Sequence, residues 1–119
     1  MATLNDSLEA LMNTDGAICA AVVDYTSGMM LASIGTGVDL ELAAAGNTEV
    51  VRAKVKTMKS LGLDDVIDDI LITLGKQYHI IRPSQKLDGV FVYFVLDKTR
   101  ANLALARRKV TEVESNMVM

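Results

Sequence analysis

The chain has no tryptophan, one cysteine, one proline and one histidine. Each scarcity closes a route. Aromatic residues make up only 4%, so the core must be aliphatic, and a base-stacking platform for single-stranded nucleic acid has too few rings. A net charge of -3 gives no basic field to draw in a phosphate backbone. Nucleic acid is therefore not an expected partner. Cys19 has no second cysteine to pair with, and its neighbours Ile18, Ala20 and Ala21 include no cation to lower a thiol pKa. It is expected to be buried and inert. His79 lacks the partner ligands that a zinc site requires. No apolar run approaches the roughly 20 residues that cross a bilayer. The opening stretch, Met1 to Asp6, lacks the basic-then-apolar order of a secretory signal. The expectation is a cytoplasmic protein with no cofactor, no metal and no membrane contact.

What is present is apolar. Half the residues are hydrophobic, which argues against disorder. A length of 119 residues suits one domain with one core, residues 1–119. Asn5 or Asp6 is expected to cap a first helix carrying Leu4, Leu8, Leu11 and Met12. Ala17 to Val23 is an unbroken apolar run between turn residues, the pattern of a buried strand. Asp24 to Gly28 reads as a turn and Met29 to Ile34 as the returning strand. Asp39 can cap a long second helix from Leu40 to about Leu61. Further strands are expected at Val66 to Leu74, Tyr78 to Arg82 and Gly89 to Leu96, the last apolar throughout and so central. Asp97 is expected to cap a final helix with a seam of Leu103, Ala106, Val110, Val113 and Met117. The strands read as apolar on both faces, which calls for helices on both sides of the sheet. Their hairpin connections favour antiparallel pairing.

The second helix is unusual. Leu40, Ala44, Val51, Val55 and Met58 fall near one face, whereas Leu42, Ala45, Gly46 and Ala53 make a second face of mostly small residues. A glycine within a helix costs roughly 1 kcal/mol against alanine. Close approach of another backbone would compensate; a break at Gly46-Asn47 is the alternative.

Chemistry-bearing residues are sparse and unpaired. Gly35-Thr36-Gly37 lacks the following Gly-Lys of a phosphate loop and reads as a strand-to-helix turn. Asp64, Asp65, Asp68 and Asp69 lack calcium-loop spacing and read as a solvated corner. Arg100, Arg107, Arg108 and Lys109 make the last helix basic on its outer side, suited to water or to an acidic partner. No serine has a base and orienting group placed around it by motif, so no enzyme is expected.

Three stretches together resemble the Roadblock/dynein light chain domain family. They are Gly16 to Asp24 with Ser27 to Ser33, the alanine-rich helix after Asp39, and Asp69 to Leu74 running through Tyr78 to Pro83 and Val90 to Asp97. The resemblance covers the chain from about Leu8 to Val113. It implies an α/β (α+β) fold: a five-stranded antiparallel sheet of order 2-1-5-4-3, the first and last helices on one face and the long helix on the other. It also implies a non-catalytic platform that pairs with itself or a paralogous chain through the middle helix and third strand. Some bacterial and archaeal members of that family regulate Ras-like small GTPases, and eukaryotic members scaffold dynein or GTPase complexes. The dimer surface is accordingly assigned to Leu42, Ala43, Ala45, Gly46, Val50, Ala53, Ile70, Leu71 and Ile72. An unpaired edge strand invites such pairing. Glu49, Arg52, Lys56 and Lys59 are the candidate partner-binding positions, Arg52 through its planar fork; pairing of Glu49 with Arg52 along the helix is the plainer use. A small-ligand sensor is the alternative, with a pocket at the Pro83 to Asp88 loop near Tyr78 and Tyr93.

Overall fold

Two strands with no charged residue before their last position determine the architecture. In the computed structural model, which describes residues 2–119 and so leaves Met1 of the expected domain outside, these are β1 (Ala17–Asp24) and β5 (Val90–Asp97). Cys19 to Val23 and Val90 to Leu96 are buried on both sides. Such strands must lie inside a sheet and beneath two layers. They pair antiparallel with each other, Ala20 opposite Phe94 and Val22 opposite Val92. Around them the chain adds α1 (Leu4–Met12), β2 (Met29–Gly35), α2 (Leu40–Ser60), β3 (Ile70–Thr73), β4 (Gln77–Pro83) and α3 (Leu103–Asn116). The sheet order is β2-β1-β5-β4-β3 and every pairing is antiparallel. The topology and central β5 agree with the sequence reading.

Side-chain alternation divides the core in two. Ala20, Val22, Phe94 and Leu96 pack against Leu8 and Leu11 of α1 and Ala106, Val110 and Val113 of α3. Cys19, Ala21, Val23, Phe91, Tyr93 and Val95 pack against Leu40, Ala44 and Val51 of α2. β2 departs from the expected two-sided burial. Its residues alternate, with Met29, Leu31, Ser33 and Gly35 exposed, because an edge strand lies at the margin of the helix layers. At Gly35 (φ +84°) an added Cβ would collide with the Ile18 carbonyl and lie 2.8 Å from Cys19 Cα. Only glycine lets the chain leave β2 this close to β1.

Several boundaries differ from expectation. Thr3, not Asn5 or Asp6, caps α1: its hydroxyl accepts from the Asp6 N–H at 3.1 Å. Asp6 then sits in the first turn, where a carboxylate suits the helix dipole. Asp97 does not cap α3. It turns the chain locally, accepting from the Thr99 N–H at 3.0 Å and the Thr99 hydroxyl at 2.8 Å. Asn102 takes the cap, accepting from Leu105 N–H at 3.1 Å. The third strand covers four residues, not the nine of Val66 to Leu74. Side chains take the backbone groups that a longer ladder would use: Arg82 Nη1 donates to Asp68 O at 3.0 Å and Gln85 Nε2 to Ile67 O at 3.3 Å.

A buried ion pair fixes α3 to the β4–β5 connection. Glu114 is 1% exposed. It accepts from Arg82 Nε at 2.9 Å and from the Ser84 hydroxyl at 3.1 Å. Ser84 Oγ in turn accepts from the Leu87 N–H at 2.8 Å. Removing one member leaves the other charge without its partner. Glu114→Ala is expected to destabilise the fold by about 3 kcal/mol in urea unfolding. Glu112→Ala, on the exposed side of the same helix, is expected to change it by less than about 0.5 kcal/mol. Equal effects would contradict this role for the pair.

Candidate functional site

Asp39 starts α2, its Oδ1 accepting from Leu42 N–H at 3.1 Å. The inner face then buries Leu40, Ala44, Thr48 and Val51, and the Thr48 hydroxyl is satisfied by Ala44 O at 2.8 Å. The outer face carries Leu42, Ala45, Gly46, Val50 and Ala53, all exposed, Leu42 at 71%. These positions recur every three or four residues and form one stripe. Ala43 is half-buried against the sheet. The helix runs unbroken through Gly46, and nothing within the protomer lies within 4 Å of where its Cβ would be. The alternative of a break at Gly46-Asn47 is therefore absent, and the protomer itself supplies no close neighbour for the glycine. Towards its C-terminal half the stripe opens into a shallow groove of about 630 Å³, lined by Val50, Ala53 and Thr57 on one side and Ile67 and Ile70 on the other.

β3 continues that surface as an edge strand. Leu74 N–H donates to Gln77 O at 2.8 Å where the hairpin closes. Alternate residues of an antiparallel ladder pair inward, so Leu71 and Thr73 turn their backbone groups outward, away from β4. The expected interface residues divide here. Ile70 and Ile72 lie on the α2 side, whereas Leu71 packs into the α1/α3 layer. Leu71 can meet a second chain through its backbone, not through that buried part of its side chain. The other edge, β2, carries a bulge where its register with β1 shifts between Val22 and Val23. Bulges disfavour edge pairing; β3 pairs with β4 in unbroken register.

The charged positions behave differently from one another. Glu49, Arg52, Lys56 and Lys59 are all exposed. Arg52 is nevertheless engaged: Nε donates to Tyr25 O at 2.8 Å and Nη2 to Thr26 O. Its fork holds the β1–β2 turn instead of pairing with Glu49. Among the described residues the ion pairs are Arg82–Glu114, Arg107–Asp69 and Lys109–Glu112. Arg100 lies in the turn before α3, not on it, and of the three basic residues expected on the helix Arg107 and Lys109 are spent within the protomer. Asp69 holds Arg107 in a two-pronged contact at 2.7 and 2.9 Å, which raises the guanidinium pKa.

Cys19 is fully buried and burial pushes its thiol pKa up, as an inert thiol requires. His79 sits on the α2 side of β4 between two partners. Gln77 Oε1 lies 2.8 Å from Nε2 and Tyr93 Oη 2.9 Å from Nδ1. With the amide oxygen accepting from Nε2, Nδ1 accepts the phenol proton and the ring is neutral. Burial lowers the His79 pKa and raises that of Tyr93. Neither Tyr93 nor Tyr78 reaches the cleft beside the Pro83 loop; Tyr93 is buried under α2, Tyr78 borders the α1/α3 layer, and Tyr25 lines the cleft instead. Among the described residues no group of three or more His, Cys, Asp or Glu side chains is arranged to hold a metal ion. No helix among them is long and apolar enough to cross a membrane.

This sheet and helix arrangement recurs in solved structures. The Roadblock/LC7 domain from Streptomyces avermitilis superposes with a TM-score of 0.81 at 10% identity, covering 96% of this chain and 93% of its own. Myxococcus xanthus MglB gives 0.82 at 18% identity, with coverages of 94% and 89%. The gliding protein MglB of Thermus thermophilus gives 0.80 at 17%, with coverages of 93% and 82%. No family model and no curated protein matches the chain. The fold is thus one shared with other small α/β domains, a five-stranded antiparallel sheet between two helix layers. In particular, it is the fold of the Roadblock/LC7 domain and of these two MglB proteins.

Two outcomes follow from these geometries. Gly46→Ala has room for its methyl group within the protomer and should stabilise it by about 0.5–1 kcal/mol through helix propensity, read by urea unfolding of the chain kept monomeric by Ala53→Arg; a loss of stability there would contradict an open position. The lowered His79 pKa means that the unfolded chain takes up its proton first. Stability from neutral His79 is full above the ordinary value of 6.5 and is lost as pH falls from there through the lowered folded value. Melting temperature should fall over that range, and fall less in His79→Gln; identical pH profiles would contradict the assignment.

Proposed function

We propose that the chain is a non-catalytic interaction module that pairs with a second copy through α2 and the β3 edge. The observation that carries this reading is one continuous surface: an exposed stripe of small and apolar residues that leads, through the groove at Val50, Ala53 and Ile70, to a strand edge with outward backbone groups. Small residues let two helices approach closely, and an edge strand of each copy could extend one sheet into the other. A further solved structure of this fold, MglB, is described in a tetrameric arrangement; it supports self-association as a habit of similar chains. The pair would present α2 charges on a shared face. A Ras-like small GTPase is the partner that the family resemblance implies, in a cytoplasmic setting, with Glu49, Lys56 and Lys59 the free contacts now that Arg52 holds a turn.

The small-ligand alternative gains one observation, an open cleft of about 510 Å³ bordered by the Pro83 loop. It loses the two tyrosines expected to line a pocket.

Sedimentation velocity at micromolar concentration tests the reading. Wild type is expected to be a dimer. Ala53→Arg is expected to be a folded monomer with an unchanged circular-dichroism spectrum, since Ala53 is exposed in the protomer, and to lose the concentration dependence of melting that a dimer shows. A monomeric wild type, or a dimeric Ala53→Arg, would overturn the interface. For the GTPase, Lys56→Ala with Lys59→Ala should leave the dimer intact and weaken binding to a Ras-like GTPase of the same genome at least tenfold, about 1.4 kcal/mol. Unchanged affinity would remove these residues from the contact.

A further inference from the structure

The segment joining α2 to β3 has properties that self-association does not use. Residues 63–69 form neither helix nor strand, yet they are tied down from behind. Arg82 holds Asp68 O, Gln85 holds Ile67 O, and Arg107 holds the Asp69 carboxylate. A segment fixed this way could turn its apolar side chains inward. Instead Leu61, Leu63 and Val66 are 65%, 52% and 64% exposed. Large apolar side chains left exposed this close together in the chain, two of them on a fixed backbone, point to a contact surface.

Beside it lies the cleft of about 510 Å³. Its wall on the α2 side is apolar, made by Val55 and Met58, with Tyr25 beyond. Tyr25 is held in place by stacking on Phe91 with ring centroids 6.3 Å apart. The rim is acidic: Asp64, Asp65 and Asp88 stand against a single cation, Lys59. The C-terminal end of α2 at Ser60 adds the negative pole of the helix dipole. Apolar floor and acidic rim together select a complementary ligand.

We propose that this cleft docks an extended segment of a partner protein that carries a large apolar anchor flanked by lysine or arginine. The anchor would enter between Met58 and Val66, and the flanking cations would meet Asp64, Asp65 and Asp88. All of these residues belong to one protomer, so the site is complete without the α2–β3 dimer. It is one way in which an interaction module could recruit its partner, and of the charged α2 positions it shares only Lys59, whose charge opposes a basic segment.

Blocked hexapeptides test this by amide chemical-shift titration of the labelled protein. Arg-Lys-Leu-Phe-Lys-Arg is expected to shift Met58, Leu63 and Val66 and to saturate. Glu-Glu-Leu-Phe-Glu-Glu is expected not to bind. Asp64→Lys with Asp65→Lys should weaken the basic peptide at least tenfold, about 1.4 kcal/mol. Glu9→Lys with Asp15→Lys makes the same change in net charge away from the cleft and should leave affinity within about twofold. Binding should persist in Ala53→Arg, which separates this site from the dimer. Shifts outside the cleft, equal binding of both peptides, equal loss in the two charge variants, or no saturation at roughly 1 mM would each overturn the proposal.

Discussion

The rest of the structure depends on burying β5 along both of its faces. A strand running Val90 to Leu96 without a charged side chain, its one phenol taken up by His79, is buried on both sides. It therefore takes the centre of the sheet, with β1 and β4 as its neighbours, and it requires a helix layer above and below. The chain has few aromatics, so those layers are closed by aliphatic side chains: α1 and α3 on one side, α2 on the other. α2 alone covers its side, and one helix has an outer face left over. That leftover face and the leftover edge at β3 are consequences of the same constraint.

Polar residues then secure what the hydrophobic layers leave loose. Glu114, buried beneath α3, takes Arg82 and Ser84 and so fixes the connection between β4 and β5. Arg52 crosses from α2 to the carbonyls of the β1–β2 turn. Arg107 and Arg82 together hold the segment before β3. These contacts share a logic. Each lets a side chain satisfy backbone or carboxylate groups that no strand or helix reaches, which is where buried or half-buried polar groups must find partners.

The elements most legible in the sequence were those whose apolar pattern admits one placement. The runs at β1 and β5 and the seam of α3 are examples, as is the small-residue face of α2. What could not be read depended on contacts across the fold. Asp97 and Asn102 are equally good caps by type, and the choice fell to the one left free when Asp97 turned onto Thr99. The start of β3 at Ile70 is set by Arg82 and Gln85, which come a dozen or more positions later and compete for the backbone of Ile67 and Asp68. Arg52 looked like a partner-binding residue because its planar fork suits a carboxylate; sequence spacing offers Glu49 as its local alternative and cannot show Tyr25. Leu71 was grouped with Ile70 and Ile72 by hydrophobicity, although strand alternation sends it to the opposite layer. The cleft beside the Pro83 loop was foreseen by position; its tyrosine was not, because Tyr25 arrives there from the β1–β2 turn.

The central claim is that the β3 edge is completed by a second chain. Amide hydrogen exchange at Leu71 and Thr73 addresses it directly, since their N–H groups face away from β4. If the account holds, both amides are protected at high protein concentration and lose protection on dilution, while Ile70 and Ile72 stay protected throughout. Fast exchange of Leu71 and Thr73 at every concentration would contradict it.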